Sequence, residues 1–199
     1  MTVPKPELEE EGGRLAKCSA IALARNEPDC EALMTLARKV GFGSVHGFTD
    51  PQQAGAVPSH NLLFFLVHFA LPEDAKKRFL EQLRSAATIN VCFAPVAVFL
   101  PDGPGDRVIE HIEMGFDDVI CLPENSRVLA ARLAAQVGRE LLYIETHSYL
   151  GPDRRRMELP GQVHPARTGD TEHTRLTILR TPEHGVQILR RQVFFKGRR

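Results

Sequence analysis

The chain has 199 residues, with 25 Lys and Arg against 25 Asp and Glu, 43% hydrophobic residues and no tryptophan. That length and mixture suit one globular domain with an appendage, or two small domains. No apolar run approaches the roughly 18 residues a membrane helix needs, the acidic start MTVPKPELEEEGG has no apolar h-region, and Cys18, Cys30, Cys92 and Cys121 are dispersed without a CxxC pair. The expectation is a reduced, cytoplasmic protein with no membrane partner, no zinc and no disulfide scaffold.

Residues 1–17 form a polar lead-in. Ser19 to Ala24 is a short apolar run of the kind a doubly covered parallel strand needs. Pro28 then suits a first helical turn, and Leu33, Leu36, Ala37 and Val40 repeat at helical spacing before Gly41. Ser44 to Phe48 reads as a weak second strand and Asn61 to His68 as a strong, wholly apolar third. Pro72 precedes a helix over 73–85 with Ala75, Phe79, Leu80 and Leu83 on one face. Pro95 to Leu100 is a fourth strand, Arg107 to Met114 a short helix, and Asp118 to Leu122 a fifth strand. Asn125 or Ser126 caps a last helix, expected from Arg127 to about Thr146. Apolar strands alternating with amphipathic segments imply a parallel sheet covered on both faces. In so short a span, right-handed crossovers point to a flavodoxin-like, doubly wound five-stranded α/β fold.

IALARNEPD (21–29), LLFFLVHFALP (62–72), PVAVFL (95–100) and GFDDVICLPEN (115–125) stand in an order and spacing similar to the receiver domain of bacterial two-component response regulators. The resemblance covers roughly residues 18–146 and implies a receiver-like domain over 18–148, and a GPDRRR stretch after it resembles one in receiver-like proteins of alphaproteobacteria. It implies a signalling protein of the CheY-like superfamily. Receivers of this family take a phosphoryl group onto an aspartate, with Mg²⁺ held by an acidic pair and with a hydroxyl and a lysine reading the phosphate. On this chain the acidic pair's slots fall on Arg25 and Asn26, the phosphoacceptor's on His68, the hydroxyl's on Leu100 and the lysine's on Leu122. Glu27 is acidic, but receivers commonly carry an acid there besides the pair.

A guanidinium offers only donors, whereas Mg²⁺ wants hard oxygens, and two leucines cannot balance a buried phosphoryl charge. The resemblance therefore implies a pseudo-receiver, with Leu100 and Leu122 expected to pack together over the former cleft. Phosphoryl transfer to His68 nitrogen, and a metal site from His46, His68, His111 and the cysteines, are disfavoured by the lack of supporting groups and of ligand spacing. The loop Asp102 to Asp106 lacks a phosphate-loop lysine. Asp117-Asp118 are expected to shape the turn before the fifth strand. No nucleophile–base pair marks an enzyme, and no cofactor is implied.

Residues 149–199 form a basic extension. From Gly151 to Arg199 there are eleven basic and five acidic residues, +6, against fourteen and twenty, −6, before it. TRLTIL (174–179) and VQILRRQVFF (186–195) read as a β-hairpin turning at Gly185, docked through Ile178, Leu179, Ile188 and Val193. Gly-Pro-Asp before Arg154, Arg155 and Arg156 forces a turn and presents a cationic strip to a partner. By the resemblance, the face of the fourth helix, fifth strand and fifth helix is a second contact or homodimer surface, drawing on His111, Val119, Arg127, Ala130, Ala131 and Leu133. The expected function is signalling by phosphorylation-independent protein contact. The alternative is polyanion or nucleic-acid binding through the extension, disfavoured by having only Phe194 and Phe195 after Gly151 to stack bases.

Overall fold

The computed structural model describes residues 13–50, 62–154 and 172–195. Five parallel strands form the first sheet: β1 (Cys18–Leu23), β2 (Ser44–Phe48), β3 (Leu62–His68), β4 (Val96–Pro101) and β5 (Asp118–Leu122), in the order β2-β1-β3-β4-β5. β1 has every residue buried and β3 all but its last, because apolar side chains on both pleats are covered. This strand order is the flavodoxin-like one, as the sequence predicts. The connection from β2 to β3 lies outside the described residues.

Alternation across the pleat divides the core in two. Ala20, Ala22, Phe64, Leu66, Ala97, Phe99 and Ile120 face one side, under α1 (Glu27–Val40) and α5 (Ser126–Ala134). Ile21, Leu23, Phe65, Val67, Val98, Leu100 and Val119 face the other, under α2 (Glu73–Arg84) and α4 (Gly105–Met114). A single turn, α3 (Ile89–Cys92), precedes β4. Register pairs Leu100 with Cys121 and Pro101 with Leu122. Leu100 and Leu122 therefore lie on opposite faces of the sheet, Leu100 buried and Leu122 half-buried, and they do not pack together as expected. One step of register reverses a side chain's face.

The fifth helix also ends early. It stops at Ala134 rather than near Thr146, and β6 (Glu140–Glu145) follows Gly138, whose φ of 74° suits a residue without Cβ. Leu141 and Tyr143 point inward while Glu140 and Leu142 are exposed, a period of two that overrides the helix formers in the segment. The second sheet thus takes its first strand from within residues 18–148. It is antiparallel, with β6, β7 (Leu150–Pro152), β8 (His173–Thr181) and β9 (Gly185–Phe194) in the order β7-β6-β8-β9.

The hairpin turns at Gly185, with φ 67°. Leu141, Tyr143, Leu176, Ile178 and Val186 join the core on the α1–α5 side of the first sheet. The sheet is docked, but by fewer of the expected residues. Ile178 is fully buried and Leu179 half-buried, whereas Ile188 and Val193 are 41% and 46% exposed because β9 is the outer strand and a bulge opposite Thr177 and Ile178 turns it outward.

Candidate functional site

In open α/β sheets, ligands bind beyond the carboxyl ends of the strands. Here those ends bring together the loop after β1, His68 at the end of β3, Leu100 at the end of β4 and Leu122 at the end of β5. Arg25 is exposed. Asn26 caps α1: its Oδ1 accepts from the Asp29 amide at 2.9 Å, and its Nδ2 donates to Asp29 Oδ2 at 2.9 Å. Asp29 Oδ2 also lies 3.4 Å from His68 Nδ1. Burial lowers the His68 pKa, Lys76 adds to the effect, and Asp29 opposes it.

The donor set does not fit Mg²⁺. Arg25 has no acceptor, the Asn26 oxygen is committed to an amide, and the nearby carboxylate of Asp29 is held by Asn26 and His68. Among the described residues, no three His, Cys, Asp or Glu side chains are grouped as metal ligands. His46 is exposed on β2, away from any such group.

Two residues behave differently from their sequence reading. Lys76, which sequence reasoning passed over, is almost fully buried; its Nζ donates to the Phe69 carbonyl at 3.0 Å and lies 3.1 Å from His111 Nε2. His111 was expected on the partner face, but it is fully buried, its Nδ1 2.7 Å from the Arg107 carbonyl. That contact makes Nδ1 the donor and leaves Nε2 to accept from Lys76. Burial lowers both pKa values. The signal for Lys76 was present: it shares the 76, 79, 80, 83 face with Phe79, Leu80 and Leu83. Asp29, three residues after a cap, was equally legible.

The other residues of the expected contact face are mixed. Val119 and Leu133 are buried, Ala130 and Ala131 half-buried and Arg127 exposed, beside exposed Ile109 and Val128. Arg154 is exposed, its guanidinium 3.7 Å from the Tyr149 ring centre. Arg155 and Arg156 lie outside the described residues.

At the opposite, amino ends of β4 and β5 sits the densest polar cluster, centred on buried Asp117. Its Oδ2 accepts from Arg84 at 2.8 Å and from the Val96 amide at 2.9 Å; its Oδ1 accepts from Arg180 at 2.8 Å and from the Tyr143 hydroxyl. Arg180, fully buried on β8, also donates to the Phe93 carbonyl, Gln136 and Tyr143. Arg84 donates to the carbonyls of Cys92 and Ala94. Burial pushes the Asp117 pKa up, but Arg180 and Arg84 outweigh it and hold the carboxyl down, at about 2. The turn before β5 is thus shaped by Asp117, and the same carboxylate anchors the second sheet. Asp118 is held from α5 by Arg132, at 2.5 and 3.2 Å.

No protein-family model matches the chain, and no curated protein does. Among solved structures it is similar to the chemotaxis response regulator CheY4 of Vibrio cholerae, at 13% identity over 59% of this chain and 97% of that one, with a TM-score of 0.46. A response regulator from Desulfuromonas acetoxidans is 17% identical over 59% and 94%, with a TM-score of 0.45. A receiver domain of a histidine kinase from Syntrophus aciditrophicus is 17% identical over 61% and 92%, with a TM-score of 0.46. The strand order by itself makes the fold flavodoxin-like.

Proposed function

We infer that the protein is a pseudo-receiver, a signalling protein that works by contact with other proteins and does not handle a phosphoryl group. The observation that carries this reading is the Asn26–Asp29–His68 cluster: where a receiver needs free carboxylates, these side chains are bound to one another. Leu100, buried on one face, and Leu122, half-buried on the other, supply neither the hydroxyl nor the cation that would read a phosphate.

The rival, a polyanion binder, draws on the extension's +6. Several of those cations are already engaged: Arg180 is buried against Asp117, Arg191 pairs with Glu145 at 2.9 Å, and Arg154 lies on Tyr149. That leaves a less open cationic surface than the sequence suggests.

The test is a titration of the full chain with beryllofluoride and Mg²⁺, read by amide NMR. The expected result is an unchanged spectrum. A saturable, Mg²⁺-dependent shift of amides in 24–29 and 66–70 would overturn the reading.

A further inference from the structure

β9 is the outer strand of the second sheet, and among the described residues only β8 pairs with it. Beyond Val186, whose amide donates to Asn90 Oδ1 at 2.8 Å, one side of its backbone meets no strand among the described residues and can form a ladder. Ile188, Leu189, Val193 and Phe194 are exposed along it, at 41%, 47%, 46% and 39%, and Phe195 follows at 76%. A long, apolar, unpaired edge is what a solitary protein avoids, since it recruits another strand.

Charge selects the recruit. From Gly185 to Arg199 the sequence holds five Lys and Arg and no Asp or Glu. Arg190 has no ion-pair partner among the described residues, and the Arg191–Glu145 pair is largely exposed, at 62% and 37%. Two copies of β9 pairing with each other would gather four guanidiniums at the centre of the ladder, and like charges placed together oppose association. An acidic strand meets the same arginines favourably. A nucleic acid would meet the charge but leave the backbone ladder unused.

We propose that the free edge of β9 docks an extended, acidic segment of a partner protein, which adds to the second sheet as a fifth strand. This deepens the protein-contact reading by naming where the contact lies and what it accepts. Backbone hydrogen bonds supply register, Arg190 and Arg191 select acidic side chains, and Ile188, Leu189 and Val193 supply apolar contact.

The test uses the full chain and a fluorescein-labelled octapeptide of alternating valine and glutamate, read by anisotropy and by amide hydrogen exchange. Saturable binding is expected, with exchange slowed within 187–194. The double variant Arg190→Glu, Arg191→Glu should keep its melting temperature and weaken binding at least about tenfold, with the Arg190→Gln, Arg191→Gln pair falling between. The proposal is overturned by no saturable binding up to millimolar peptide, by equal binding of a matched octapeptide with lysine in place of glutamate, or by full affinity in the glutamate variant. A thymidine oligonucleotide that protects the same amides more strongly than the peptide would also overturn it, in favour of nucleic acid. The beryllofluoride titration on the same sample reads the phosphate pocket separately, so failure of the edge and failure of the pseudo-receiver reading are distinguishable.

Discussion

The two ends of the parallel sheet contrast sharply. At the carboxyl ends, where such folds do their chemistry, the polar groups are few and bound to one another: Asn26 and His68 to Asp29, Lys76 to His111. At the amino ends, Arg84, Asp117, Tyr143, Gln136 and Arg180 form a continuous buried network. The first end is small and partly wet; the second is dry, highly connected and reaches into the second sheet. Among the described residues, that buried network joins the two sheets.

The contrast breaks most readily at Asp117. Replacing it with Ala leaves two buried guanidiniums without their carboxylate, and breaking a buried pair in this way costs about 3–5 kcal/mol. Urea unfolding should show that loss and, short of the transition, greater dye-accessible apolar surface as the second sheet loosens. A loss below about 1 kcal/mol would mean that the network does not join the sheets.

A second comparison separates Leu100 from Leu122. Leu100→Lys places an ammonium where only 2% of the residue is exposed and should cost about 3 kcal/mol, whereas Leu122→Lys, from a half-buried position, should cost about 1 kcal/mol or less because its stem can reach water. Equal losses in thermal unfolding would show that the two leucines share one environment after all.

Acid should distinguish the ends by pH window. Asp117 has a folded pKa below its ordinary 3.8, at about 2, so its stabilisation is present above 3.8 and is lost as pH falls towards 2, a change of about 2 kcal/mol. His68 and His111 have folded pKa values below their ordinary 6.5. The unfolded chain therefore takes up their protons first, and stability declines as pH falls through about 6.5. Unfolding measured from pH 8 to pH 2 should show both steps, and His111→Gln should diminish the upper one. The smallest effect belongs to the α1 cap: Asn26→Ala should cost about 1 kcal/mol and release Asp29 towards His68, raising the His68 pKa in an NMR titration.

Much was legible before any coordinates. Continuous apolar runs at 19–24, 61–68 and 95–100 announce doubly covered parallel strands, and their alternation with 3.6-residue patterns leads to the 2-1-3-4-5 order. By the resemblance to receivers, the signature slots fall on Arg25, Asn26, His68, Leu100 and Leu122, and the proposal that phosphate chemistry is lost starts from those residue types in the sequence. Gly185 between two β-rich segments announced the hairpin.

Tertiary structure decided the rest, because long-range pairing leaves little local trace. Residues 127–146 contain good helix formers throughout, and only the packing of Leu141 and Tyr143 against the core ends the helix at Ala134 and makes β6 a strand. Arg180, just past TRLTIL (174–179), has no role singled out by the sequence reading. Its burial depends on Asp117, 63 residues earlier, and on the Phe93 carbonyl, 87 residues earlier. Register alone put Leu100 and Leu122 on opposite faces, and only the approach of α4 to α2 turned His111 from a surface histidine into the acceptor for Lys76. Periodicity and composition specify which elements form; where a buried charge finds its partner is settled only when the layers close.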